Sequence, residues 1–210
     1  MHLTGRDRRM LHWINGHGFV TADQAARWMG VCDRIGRRRL LKLVDAGFLQ
    51  RDRLGFNEPH CHWLTKTGWE VSGDELAPPK KVNRVTYYHD TALVDLSQNL
   101  LARLKVEADF VPERRLKSEN RSKARWRQGR LVDEAHTPDG ELHVAGKKPV
   151  AIELELTVKE RRRLEGIISS YACTLDYEAV WYFVSDGEVK RAVERAIKSY
   201  AGFKVFPVQF

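Results

Sequence analysis

Asp139, Glu153, Glu155 and Lys159 are the residues of this sequence best suited to chemistry on a phosphodiester. Glu153 and Glu155 alternate with Ile152, Leu154 and Leu156, the period of a strand, so the two acids share one strand face. Asp139 lies in the turn-like stretch Thr137-Pro138-Asp139-Gly140 and would come from the neighbouring strand or its turn. Three carboxylates converging at one sheet edge would hold Mg2+ and position a water for attack on phosphorus. Lys159 would stabilise the developing charge or orient the nucleophile. The same pattern also fits a wet strand face whose acids pair with local arginines such as Arg161 and Arg162, because a buried carboxylate without a partner is costly.

A second chemistry is written in the cations. Arg34, Arg37, Arg38, Arg39 and Lys42 form one basic run, and residues 114 to 130 hold Arg114, Arg115, Lys117, Arg121, Lys123, Arg125, Arg127 and Arg130, broken only by Glu119. Arginines at 161 to 163 add a third group. With a formal charge of +8, clusters this dense favour phosphate contact through charge and counterion release, and double-stranded DNA is the expected partner. A solubilising surface is the plainer alternative. His60, Cys61 and His62 invite a metal, but neighbours on a strand point to opposite faces and no paired C-x-x-C accompanies them, so no zinc is expected. Cys32, Cys61 and Cys173 are too few and too scattered for a disulfide scaffold, which predicts a reducing, cytoplasmic and nucleoid-associated setting. The opening MHLTGRDRRMLHW lacks the apolar stretch of a signal peptide, and no run is long enough to span a bilayer, so no membrane partner is expected.

Elements that would position these groups follow from periodicity. Residues 6 to 15 read as a first helix with Met10, Leu11 and Ile14 inward. Thr21 to Gln24 is a capping box opening a short second helix that stops at Gly30. A third helix runs from Asp33 to Ala46, with Leu40, Leu43 and Val44 as its buried stripe and Gly47 as its stop. Phe48 to Arg51 and His60 to Leu64 read as strands of a hairpin. Three helices and a hairpin make a winged helix-turn-helix over residues 1–75, with Asp33 to Ala46 as recognition helix. Arg34, Arg37 and Arg38 occupy its exposed positions, Arg39 and Lys42 are expected to reach phosphates, and Arg51, Arg53 and Asn57 would touch backbone or minor groove from the wing. Pro78, Pro79, Lys80 and Lys81 mark a linker over 76–84. Residues 85–210 then read as helix, strands, helix, strand, helix and strand, an α/β domain with a mixed central sheet, in which 113 to 130 is an exposed basic stretch.

The second domain resembles the PD-(D/E)xK nuclease superfamily, whose restriction-endonuclease-like fold places a proline-aspartate ahead of a strand carrying acid, spacer, and acid or lysine. The resemblance makes Asp139 the first acid and Glu153 the second, with Glu155 where lysine is commonest and Lys159 as a substitute from the following helix. Glu107 and Glu113 are candidates for the additional acid such sites recruit. More of the chain, from 10 to 185, is similar to the replication-relaxation family of plasmids and integrative elements, through RRRLLKLVDAGFLQR, HWLTKTG, YYHDTALVDLSQNLLARL, and TPDG followed by AIELELTVKERRR. That resemblance implies a DNA-binding protein of a mobile genetic element, recognising duplex DNA through the winged helix for replication, relaxation or transfer. A Mg2+-dependent DNA endonuclease using Asp139, Glu153 and Glu155 is the first alternative, and a dimeric transcriptional regulator the second. A second copy of the chain and other mobile-element proteins are the further partners expected.

Overall fold

The computed structural model describes residues 2–123, 126–127, 130–131, 136–173, 175–185 and 187–208. Two compact units divide the chain, Met1–Gln98 and Asn99–Phe210.

In the first unit, α1 (Gly5–His17) opens on a capping box that the sequence pattern alone did not reveal. Thr4 Oγ1 accepts from the Asp7 amide at 3.2 Å, and Asp7 Oδ2 accepts from the Thr4 amide at 2.8 Å. The expected box of Thr21 and Gln24 opens α2 (Ala22–Met29), and Gly30 ends it in the left-handed region at φ 66°. Next comes α3 (Asp33–Asp45), whose Leu40 and Leu43 are fully buried with Met10, Leu11, Ile14, Val20 and Ala25. Gly36 permits the α2–α3 approach, since a Cβ there would come within 2.6 Å of the Ala26 Cβ. Strands β1 (Leu49–Asp52) and β2 (Cys61–Leu64) pair antiparallel, Leu49 opposite Leu64, and Val20 bridges His62 on the outer side of β2. Thr65 then caps α4 (Lys66–Ser72).

The stretch expected to be a linker is packed into this unit. Leu76 O accepts from Asn15 Nδ2 at 2.5 Å, and Val82 is buried with Phe19, Cys61, Trp63 and Tyr87. The division falls instead inside α5 (Tyr87–Arg103). The first turns of α5 are tied to α2: Gln24 Nε2 donates to Thr91 O and Asp95 Oδ1 at 2.9 and 3.1 Å, and Arg27 pairs with Asp95. Polar side chains such as Gln24 and Asp95 thus join buried Ala92, Leu93, Val94 and Leu96 in holding this helix.

The second unit is a mixed α/β arrangement. Its chain order is β3 (Ala108–Pro112), α6 (Glu113–Lys123), β4 (Trp126–Arg127), β5 (Arg130–Leu131), β6 (Gly140–Val144), β7 (Val150–Glu155), α7 (Arg161–Ala172), β8 (Ala179–Val184), α8 (Gly187–Ile197) and β9 (Phe203–Pro207). A five-stranded sheet runs β3-β6-β7-β8-β9, antiparallel through β7 and parallel from β7 to β9. Parallel neighbours need crossovers, and α7 and α8 supply them. Ala151, Leu164, Ile168, Tyr171, Tyr182 and Val184 lie in one buried cluster between the sheet and these helices. The basic stretch expected to lie exposed from 113 begins as helix α6, which anchors through buried Leu116. Among the described residues, no helix is long and apolar enough to cross a membrane.

Candidate functional site

The first unit presents a cationic surface on α3 and the β1–β2 hairpin. Arg34, Arg37, Arg38 and Lys42 are exposed, while Gly36, Leu40 and Leu43 face inward, so the helix separates its charges from its packing side. Arg39 does not join them. Its Nε donates to Asp7 Oδ1 at 2.7 Å and its Nη2 binds Asp7 Oδ2, so the phosphate role expected of Arg39 gives way to a fork-shaped tie between α3 and α1. Burial alone would raise the Asp7 carboxyl, but the bonds from Arg39 and Thr4 outweigh it and hold the pKa at about 2.

On the hairpin, Arg51 Nη2 and Arg53 Nη2 lie 3.1 and 3.4 Å from His60 Nδ1. Arginine only donates, so Nδ1 is the acceptor and the imidazole is gathered as a neutral ring. Burial first, then the charges of Arg51 and Arg53, depress the basicity of His60; Asp52 opposes them, and Arg37 adds the smallest push in the same direction as the other arginines. Both hairpin arginines therefore act on one small region, which the charge of Arg37 on α3 reaches only faintly. Cys61 and His62 are buried on the strand beyond: burial pushes the Cys61 thiol up to about 12 and His62 down to about 4. Of the remaining basic candidates, Arg121 and Lys123 fall in α6 and Arg127 in β4, while Arg125 lies outside the described residues.

In the second unit, the sheet brings the predicted acids to adjoining positions. Gly140 pairs with Ile152, which sets Asp139 beside the Glu153–Leu154 step of β7, and Asp139 Oδ2 accepts from the Leu154 amide at 2.8 Å. A Cβ on Gly140 would come within 2.2 Å of the Phe110 ring, so a glycine after Asp139 is what lets β3 and β6 close here. Glu153 and Glu155 share a face as expected, yet that face is not wet: the residues are 1% and 3% exposed. Neither pairs with Arg161, which holds Glu165 at 2.7 Å.

The partners of the two glutamates come from elsewhere. Glu153 Oε1 receives the Tyr171 hydroxyl from α7 and lies 2.8 Å from His136 Nε2. Glu155 Oε1 lies 2.5 Å from Lys159 Nζ, an ion pair by distance without hydrogen-bond alignment at that oxygen. Burial, followed by the nearby charge of Asp139, raises the Glu153 pKa; burial also raises that of Glu155, and Lys159 counters it. The Tyr182 hydroxyl is buried without a hydrogen-bond partner, and the charges of Glu153, Glu155 and Asp139 reach it. His136 and Tyr171 were not singled out from sequence. The signal for Tyr171 was its place on the α7 stripe with Leu164 and Ile168, and for His136 its position three residues before Asp139.

As arranged, no three His, Cys, Asp or Glu side chains among the described residues form a group able to hold a metal ion. A cation at Asp139 would compete with His136 and Tyr171 for Glu153, and with Lys159 for Glu155. Glu113 and Glu107, the candidates for a further acid, stand differently: the Glu113 amide donates to Asp139 O at 2.9 Å while its carboxylate pairs with Lys117, and Glu107 is exposed just before β3. No protein-family model matches the sequence, and no curated protein matches it.

Proposed function

We propose that this chain is a DNA-binding protein of a mobile genetic element, whose first unit is a winged helix-turn-helix that recognises duplex DNA for replication, relaxation or transfer. The observation that carries this reading is the grouping of exposed Arg34, Arg37 and Arg38 on α3 with Arg51 and Arg53 of the hairpin. A helix following a tight turn, with its arginines outward and its leucines inward, offers the length and charge to enter a major groove, where arginine pairs with guanine edges or phosphates. Arg34 and Arg38 are four residues apart and share a face.

A nuclease reading is second, and one observation favours it. The order α5, β3, β6, β7, α7, β8, with Asp139 just ahead of β6 and Glu153 on the adjoining β7, suits a restriction-endonuclease-like domain of the PD-(D/E)xK kind. Against it stand the internal partners of Glu153 and Glu155, which Mg2+ would have to displace. In the first reading, this domain serves contact or assembly, and Lys159 is the counter-ion of Glu155.

One experiment addresses both readings. Duplexes selected by the protein from a randomised pool are titrated at several salt concentrations, and supercoiled plasmid is incubated in parallel with Mg2+ or Mn2+. Salt-dependent duplex binding is expected, with Arg34→Ala and Arg38→Ala each weakening it by roughly five-fold or more. Wild-type protein that fails to bind duplex at low salt would remove the first reading. Nicking lost in both Asp139→Ala and Glu153→Gln would establish the second; the glutamine keeps an acceptor for Tyr171, so lost activity would not be lost fold.

A further inference from the structure

We infer that Phe56, at the tip of the β1–β2 hairpin, is an apolar wedge that enters a base step of duplex DNA. This rests on the DNA-binding reading of the first unit and adds to it a second mode of contact. Phe56 is 90% exposed, so its ring stands in water at an energetic cost that burial by a partner would relieve. Its neighbour two positions back behaves oppositely: Leu54 packs against Phe19, Cys61, Trp63, Val82 and Tyr87. One apolar side chain of the loop thus anchors the tip and the other projects from it.

The tip is braced. The Glu58 amide donates to Gly55 O at 3.2 Å, Arg53 Nη1 donates to Phe56 O at 3.2 Å, and the Arg53 amide donates to Asp52 Oδ1 at 2.7 Å. The Tyr88 hydroxyl binds the Glu58 carboxylate and ties the far side of the loop to α5. A loop held this way loses little conformational freedom when its aromatic ring is buried by a partner.

Charge identifies the partner. Arg51 and Arg53 converge on His60 at the base of the same loop, and the charge of Arg37 on α3 reaches the same ring. Arg37, Arg51 and Arg53 outnumber Asp52 and Glu58 here, and an apolar protein patch would leave that positive surplus unanswered, whereas a duplex offers phosphates to the arginines and base faces to the ring. Aromatic and aliphatic wedges flanked by cations unstack base steps in this way, at least cost in flexible pyrimidine–purine steps.

The test uses the full chain and a duplex selected by the wild-type protein from a randomised pool. 2-Aminopurine is placed at successive steps across and beside the selected core. Wild-type protein is expected to brighten the probe at one step beside the core, and Phe56→Ala to abolish that signal while weakening binding about five- to a hundred-fold. Phe56→Trp is expected to keep both, and the salt slope is expected to stay the same in Phe56→Ala because the phosphate contacts remain. Salt-dependent wild-type binding in which Phe56→Ala changes neither affinity nor probe signal would overturn the wedge and leave the DNA reading standing. The wedge would equally fall if Phe56→Ala left DNA binding intact but dissociated a dimer, since the tip would then belong to a second copy. No duplex binding by the wild-type chain would overturn the wedge together with the reading beneath it.

Discussion

Arg39 sits on the helix that carries Arg34, Arg37 and Arg38, yet its guanidinium turns toward α1 and grips Asp7, a residue only 1% exposed. A buried carboxylate with a bidentate partner and an N-terminal capping role contributes stability only while ionised. The folded pKa of about 2 lies below the ordinary 3.8. The contribution is therefore complete above the unfolded value and is lost as pH falls through the folded one. One to two pKa units correspond to about 2 kcal/mol. Asp7→Asn is expected to lower unfolding free energy by about that amount at neutral pH, with the gap to wild type closing between pH 4 and pH 2. Urea unfolding of both proteins across that range measures it, and a gap that does not change with pH would contradict the role given to ionised Asp7. Glu153 has the opposite sign. Burial and the neighbouring Asp139 raise its pKa, so its protonated form is favoured by folding and its effect on stability worsens as pH climbs from the ordinary 4.5.

Close approaches between elements fix where the hairpin starts. The Thr65 amide donates to Phe48 O at 3.1 Å, and α4 then passes so near that a Cβ on Gly68 would stand 1.9 Å from that oxygen and 2.9 Å from its carbon. Backbone is the obstacle, so no side-chain rotation relieves it. Gly68→Ala is expected to destabilise the first unit by about 1–3 kcal/mol or more, while Thr67→Ala on the exposed side of the same turn changes stability by less than about 0.5 kcal/mol. Thermal melts of the two variants decide it, and equal melting temperatures would mean that α4 is free to shift. Much of this layout was legible. Thr21 with Gln24, Gly30 and Gly47 announced the helix ends, and Ile152 to Leu156 announced a strand by alternation. What Gly68 does was not, because its reason is a carbonyl twenty positions earlier. Helix α6 was missed since Leu116 is its buried apolar anchor amid charges. The acids at 153 and 155 were found, but their burial was not: alternation ordinarily marks a strand with one wet face, and the groups that make the burial of Glu153 tolerable, His136 and Tyr171, come from 17 and 18 residues away, while Lys159 serves Glu155 from close by.

The surplus of eight positive charges divides evenly, four to each unit, so under the DNA-binding proposal charge alone does not confine DNA to the first. The two surpluses differ in kind. In the first unit, the exposed cations stand on a helix and a hairpin built as one surface, which suits contact with base edges. In the second, the cations between 114 and 130 follow one another along the chain with few acids between them, which suits phosphates of any sequence. These roles leave different marks on binding. A phosphate contact contributes to the salt dependence, at a slope of about 0.9 per charge on duplex DNA, and weakens all sequences alike when lost. Base contacts contribute to discrimination. Replacing Arg121, Lys123, Arg125 and Arg127 together by glutamine is therefore expected to flatten the slope of log K against log salt by about three to four while leaving the ranking of selected over scrambled duplexes intact. Arg34→Ala is expected to relax that ranking with a slope change of about one or less. Filter binding or fluorescence anisotropy at four or more salt concentrations separates the two effects. A fourfold variant whose slope equals that of the wild type would restrict DNA contact to the first unit and leave the basic run of the second to solvent.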